Sequence, residues 1–140
     1  MNDQIRALIA QHEQKGDFTH VAPTKEMLAS AQRLLGLTIP QQFVDFLHEY
    51  SYGGIGGITI LGVGLDGSMA FLEETLSYRK YGLPHNLLVV ENCDEWLWCL
   101  DCDSGEVVSW SQADGDDILP GYPSFDDFLL DDLQEAIDSL

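Results

Sequence analysis

Four short stretches of this 140-residue chain hold side chains whose types and spacing could do chemistry. Gly62, Gly64 and Gly67 spell G-x-G-x-x-G, the turn that lets a dinucleotide pyrophosphate approach a helix N-terminus, with Glu91 placed as the later acid. Asp101, Asp103 and Gly105 alternate as in a calcium loop. Cys99 and Cys102 make C-x-x-C with Cys93 nearby, a pattern shared by zinc and redox sites. Trp96, Trp98 and Trp110 are interleaved with Asp94, Glu95, Asp101 and Glu106, which pairs interface-type aromatics with carboxylates.

Most of these motifs lose their chemistry on closer reading. Residues 62–67 sit mid-chain, and the strands after Glu91 read as an antiparallel hairpin rather than further βαβ units. Asp66 would also put a carboxylate against the pyrophosphate, so a turn is the better reading. An EF-hand needs a bidentate Glu at the twelfth loop position, which is Gln112 here, so residues 101–105 read as a hairpin turn. Zinc needs four ligands, but no second cysteine pair exists and His12, His20, His48 and His85 are scattered singly. Cys99 then reads as a small core residue. No nucleophile elbow or P-loop is present, so the chain reads as a non-enzyme with no cofactor and no metal.

The elements that must position these residues follow from periodicity. Apolar residues at helical spacing predict helices near 3–15 and 24–35, with Thr24 as N-cap and Gly36 just past the end. Pro40 suits a helix first turn, and Phe43, Phe46, Leu47 and Tyr50 then recur at i, i+3, i+4, i+7 as one buried face. Gly53, Gly54, Gly56 and Gly57 lead into an expected strand near 57–62. A helix near 69–81 and strands near 87–91, 96–101 and 106–111 follow. Alternation sets Leu97 and Cys99 on one face and Trp96, Trp98 and Leu100 on the other. Residues 112–123 carry loop chemistry, and Ser124 caps a closing helix with Asp126 and Asp127 in its first turn. The fold class is α+β over a single 1–140 domain: N-terminal helices, a twisted, mainly antiparallel sheet of about five or six strands, and a C-terminal helix.

The run Ile39, Pro40, Phe43, Phe46, Leu47, Tyr50, Gly53 and Gly54 resembles the SMI1/KNR4 (SUKH) superfamily, whose pattern is a proline-started aromatic helix followed by a Gly-Gly turn into a strand. The strands near residues 87, 96 and 105 and the closing helix with Phe125, Phe128 and Leu129 fall in the family's order. Gln32, where a family acid is common, and Tyr52, in place of the usual Asn, depart from it. The resemblance implies a bacterial immunity protein that binds and neutralises a cognate polymorphic toxin domain, of nuclease or deaminase type. Its alternative is a regulatory interaction module without a toxin.

Charge sharpens that expectation. Residues 1–81 hold all six Lys and Arg against nine acids, for −3, whereas residues 82–140 hold fifteen acids and no base, for −15. Such a field repels nucleic acid and draws a cationic protein. A nuclease site must be positive to hold phosphates, so an acidic surface could cover it. The expected partner is a basic toxin domain, met by Glu91, Asp94, Glu95, Asp101, Asp103, Glu106, Asp114, Asp116 and Asp117, with Trp98 and Tyr122 as aromatic anchors. No apolar run reaches about 18 residues, the amphipathic N-terminus is unlike a signal, and three cysteines suit a reducing compartment. These point to a cytoplasmic protein with no membrane contact and leave oligomeric state open.

Overall fold

The computed structural model describes residues 1–113 and 117–140. Three helices come first: α1 (Asp3–His12), α2 (Lys25–Leu35) and α3 (Gln41–Glu49). Capping sets their ends. Asn2 accepts from the Ile5 N–H and Thr24 from the Met27 N–H, and Gly36 ends α2 in the left-handed region at φ 69°. Pro40 is the N-cap of α3, one position earlier than the first-turn place expected of it. Phe43, Phe46 and Leu47 are fully buried, as their spacing requires, and Tyr50 is half-buried. Phe43 meets Phe125 and Phe71 edge-on at 5.2 and 5.6 Å, which seats α3 against α5 (Phe125–Asp138) and α4 (Ala70–Arg79).

Among the described residues four strands form an antiparallel meander in the order β1 (Leu87–Asn92), β2 (Leu97–Asp101), β3 (Val107–Trp110) and β4 (Ile118–Tyr122). The architecture is therefore α+β, with a sheet smaller than the five or six strands expected. The expected strand near 57–62 is absent. Ile60 makes an isolated bridge with Gly53, and the Leu61 N–H donates to Val90 O beside β1. Its glycines explain this, because a Cβ on Gly62 would lie 1.5 Å from Ser51 O. The chain there is folded back on itself rather than laddered. Residues 62–67 do make a turn, in which Asp66 Oδ1 accepts from the backbone and hydroxyl of Ser68.

β4 was hidden inside the segment read as loop. Pro120 and Gly121 mask it in the sequence, yet an edge strand tolerates a proline that a central one would not. Strand register sorts the side chains into two faces. Asn92, Leu97, Trp110 and Ile118 form a row on one face, and Glu91, Trp98, Ser109 and Leu119 form a row on the other. The first face packs on α4, where Tyr78 meets Trp110 at 6.2 Å. The second packs on α5, where Phe128 meets Trp98 at 5.7 Å. The outer edge of β1 is tied down by Thr75 of α4, whose hydroxyl accepts from Val89 N–H at 2.9 Å.

Candidate functional site

The acids and tryptophans divide between the two ends of the sheet and its interior. At one end the β1–β2 turn, the exit of β3 and the entry of β4 come together. The turn is closed by Cys93 N–H donating to Trp96 O at 3.0 Å and Asp94 N–H donating to the Asn92 side chain at 2.8 Å. Asp94 takes φ 66°, a left-handed conformation that Asp tolerates better than most residues. Asp94 and Glu95 are thereby held outward, both exposed, directly before Trp96, which is 39% exposed.

Two open clefts flank Trp96. One, of about 760 Å³, runs towards α4 and includes Tyr78, Asp94 and Trp110 in its walls. The other, of about 370 Å³, lies on the α5 face and includes Trp98, Ser109, Asp117 and Leu119. Glu95, Trp96 and Ser111 line both, so they form the ridge between them. Ile118 and Leu119 extend the exposed apolar surface at 42% and 57% exposure. Trp96 was the tryptophan whose placement alternation misjudged. It precedes β2 instead of lying in it, and so escapes the packing that half-buries Trp98 and buries Trp110.

The opposite end uses its carboxylates differently. Asp101 Oδ1 accepts from the backbone N–H groups of Asp103 and Ser104 and from the Asn86 amide, at 2.9, 3.3 and 3.1 Å. Gly105 at φ 82° completes the reversal. Asp101 is thus occupied as a turn former, as the hairpin reading of residues 101–105 expected. Asp103 and Glu106 are exposed there. The length of β2 puts them roughly 15 Å from Trp96, at about 3.4 Å per residue.

Glu91 corrects the expectation that it faces a partner. It is buried, pointing from β1 under α5, because a register irregularity after Val89 aligns it with Trp98 on the covered face. There it meets Asp132 of α5, and Cys93 Sγ donates to its Oε2 at 3.4 Å. Burial, the hydrogen bond to Glu91 and its charge push the Asp132 carboxyl up to about 9. Glu91 Oε1 and Asp132 Oδ2 have no other partner among the described residues. A proton held on Asp132 gives the pair its missing donor. Burial likewise raises all three thiols, Cys93 and Cys102 to about 12, so the C-x-x-C pair stays protonated and inert. No group of three or more metal-binding side chains occurs among the described residues.

Tyr122 is half-buried, edge-on to Trp98 at 5.6 Å, and its hydroxyl donates to Asp131 Oδ2 at 2.5 Å. It serves the α5–sheet contact. Asp117 stands exposed on the rim of the smaller cleft, while Asp114 and Asp116 lie outside the described residues. Sequence reasoning missed the outer stripe of α5, where exposed Asp127, Asp131, Glu135 and Asp138 recur at helical spacing. That spacing was a readable signal. The apolar pair Ile118 and Leu119 had no such signal, because β4 itself was not recognised.

No helix among the described residues is long and apolar enough to cross a membrane. A crystal structure of a protein from Pseudomonas syringae pv. tomato is similar to this chain. The TM-score is 0.65 over 84% of this chain and 89% of that one, at 22% identity. That likeness speaks to the fold. The family model SUKH_5, described as SMI1-KNR4 cell-wall, matches residues 1–134. The proline-capped aromatic helix, the glycine reversal, the meander and all but the last turn of the closing helix fall inside that match, and this protein belongs to the SUKH_5 family of SMI1-KNR4 proteins.

Proposed function

We propose that this protein is an immunity-type interaction module that binds and neutralises a basic toxin domain through the Trp96 end of its sheet. Family membership supports the interaction-module part of this reading. The observation that carries the rest is Trp96, exposed between two clefts beside Asp94, Glu95 and Asp117, in a half of the chain that contains no Lys or Arg.

Interface energy concentrates in a few aromatic anchors surrounded by residues that exclude water. Trp96 has that setting, with Leu119 as an apolar neighbour and carboxylates as the rim. A toxin that handles nucleic acid presents a cationic surface where phosphates bind. The base-free half would meet it with complementary potential, giving fast, salt-sensitive association. Recognition here needs no catalytic group, which agrees with the inert thiols and with the internal use of Glu91 and Asp101.

Co-expression with the toxin encoded beside this protein's gene tests the reading. Rescue by the wild type, weakened by Trp96→Ala, is the expected result. Neither rescue nor binding of any such toxin would sink it and leave the regulatory interaction module as the function.

A further inference from the structure

We propose that the larger cleft is an arginine-recognition site, in which one arginine side chain of a protein partner stacks on Trp96 and pairs with Glu95 and Asp94. The inference rests on the interaction reading above and names the side chain that the Trp96 end is built to take.

The walls and rim select for a particular cation. Tyr78, Trp96 and Trp110 line the cleft with aromatic surface, and Asp94 and Glu95 stand exposed at its edge. Neither carboxylate has a salt-bridge partner among the described residues, and no Lys or Arg lines the cleft. Arg79, next to Tyr78 in sequence, donates instead to the carbonyls of Leu35 and His85 at 2.7 and 2.9 Å. The site therefore holds fixed negative charge and the open indole of Trp96, with no Lys or Arg in its lining to pair with them.

A guanidinium fits both features at once. It is planar, weakly hydrated and stacks on an indole, while its fork of donors matches a carboxylate. An ammonium is a compact, strongly hydrated charge that uses the aromatic wall less well. Phosphate-bearing ligands are disfavoured by the two carboxylates at the entrance.

Trp110 adds an independent observation. It is 98% buried by its 2% exposure, yet its indole Nε1–H has no acceptor among the described residues. Buried donors nearly always find a partner. The donor is sealed from solvent in this structure, so a main-chain carbonyl flanking the partner's arginine reaches it only if the cleft wall shifts on binding, which the Trp110 indole signal would report.

The test is a titration of the full chain with indole signals followed by nitrogen–proton correlation spectroscopy. The probes are acetylated, amidated glycine-flanked tripeptides centred on arginine, lysine or citrulline, the last being a neutral isostere. The arginine peptide should move the Trp96 and Trp110 signals saturably, with the citrulline peptide binding at least about tenfold more weakly and lysine in between. Trp96→Ala and Glu95→Gln should each cost the arginine peptide about tenfold, while Asp103→Asn at the far end changes nothing. Equal binding of citrulline, equal loss in Asp103→Asn, or no saturable shift with arginine would overturn the inference. Toxin rescue without arginine binding defeats this inference alone, and arginine binding without rescue defeats the toxin reading alone.

Discussion

The two ends of β2 carry similar sequence chemistry and opposite structural roles. Both are tight turns rich in acids: Asp94 and Glu95 before the strand, Asp101, Asp103 and Glu106 after it. At the far end Asp101 spends its carboxylate on two backbone N–H groups and an amide, so the turn is held by its own acid. At the near end the Asn92 side chain takes that job, leaving Asp94 and Glu95 free beside exposed Trp96. A carboxylate in a turn becomes available to a partner when another residue closes the turn for it.

That contrast can be broken by measurement, and the largest effect separates two tryptophans. Trp110→Ala should destabilise the fold by about 3–5 kcal/mol, whereas Trp96→Ala should change stability by less than about 1 kcal/mol. Urea unfolding of the two variants reads this directly, and similar losses would mean that Trp96 is scaffold. In binding the order reverses for Trp96, whose removal should cost about 2–4 kcal/mol of partner affinity by calorimetry.

The two sets of acids come next. Asp101→Ala should lower unfolding free energy by about 1–3 kcal/mol, since it orphans three donors, while Glu95→Ala should stay within about 0.5 kcal/mol. If Glu95→Ala proves as costly as Asp101→Ala, the near turn also depends on its acids for structure.

Between the two ends lies the buried pair of Glu91 and Asp132. Native Asp132 is raised to about 9, against about 3.9 in an unfolded chain, so the native state holds the extra proton between those values. Its contribution to stability is full below about pH 4 and is lost as pH rises towards 9. Asp132→Asn keeps a donor for Glu91 without a titrating proton. The variant should gain on the wild type as pH goes from 5 to 8, measured by urea midpoints at about those two values. A constant gap would show that the pair does not share a proton. The smallest effect expected is on kinetics: Glu95→Gln should slow partner association by a few fold at low salt and speed dissociation by a few fold, together about a tenfold loss of affinity.

Legibility followed locality. Caps such as Thr24 and Ser124, the buried face of Phe43, Phe46 and Leu47, and the turn at residues 101–105 depend on residues within about one helical turn of each other, and all were readable. β4 was not, because Pro120 and Gly121 are acceptable only at a sheet edge, and edge position is a tertiary fact. Trp98 and Tyr122 read as the aromatic anchors, and Trp96 was not among them. Strand alternation gives the face a side chain takes but not whether α5 covers that face, and Phe128 covers Trp98 while leaving Trp96 open.

The sequence by itself determined the α+β class, the helix caps at Thr24, Gly36 and Ser124, the family and a charge asymmetry of −3 against −15, all of which are sums or short-range patterns. Only the tertiary structure decided which acids are free. Glu91 was drawn inside by a strand irregularity and a helix forty residues further on, and Asp101 was taken by its own turn. Asp94 and Glu95 were left at the surface beside an open indole. A carboxylate's availability depends on the donors and dielectric around it, and those are set by contacts between segments distant in the chain.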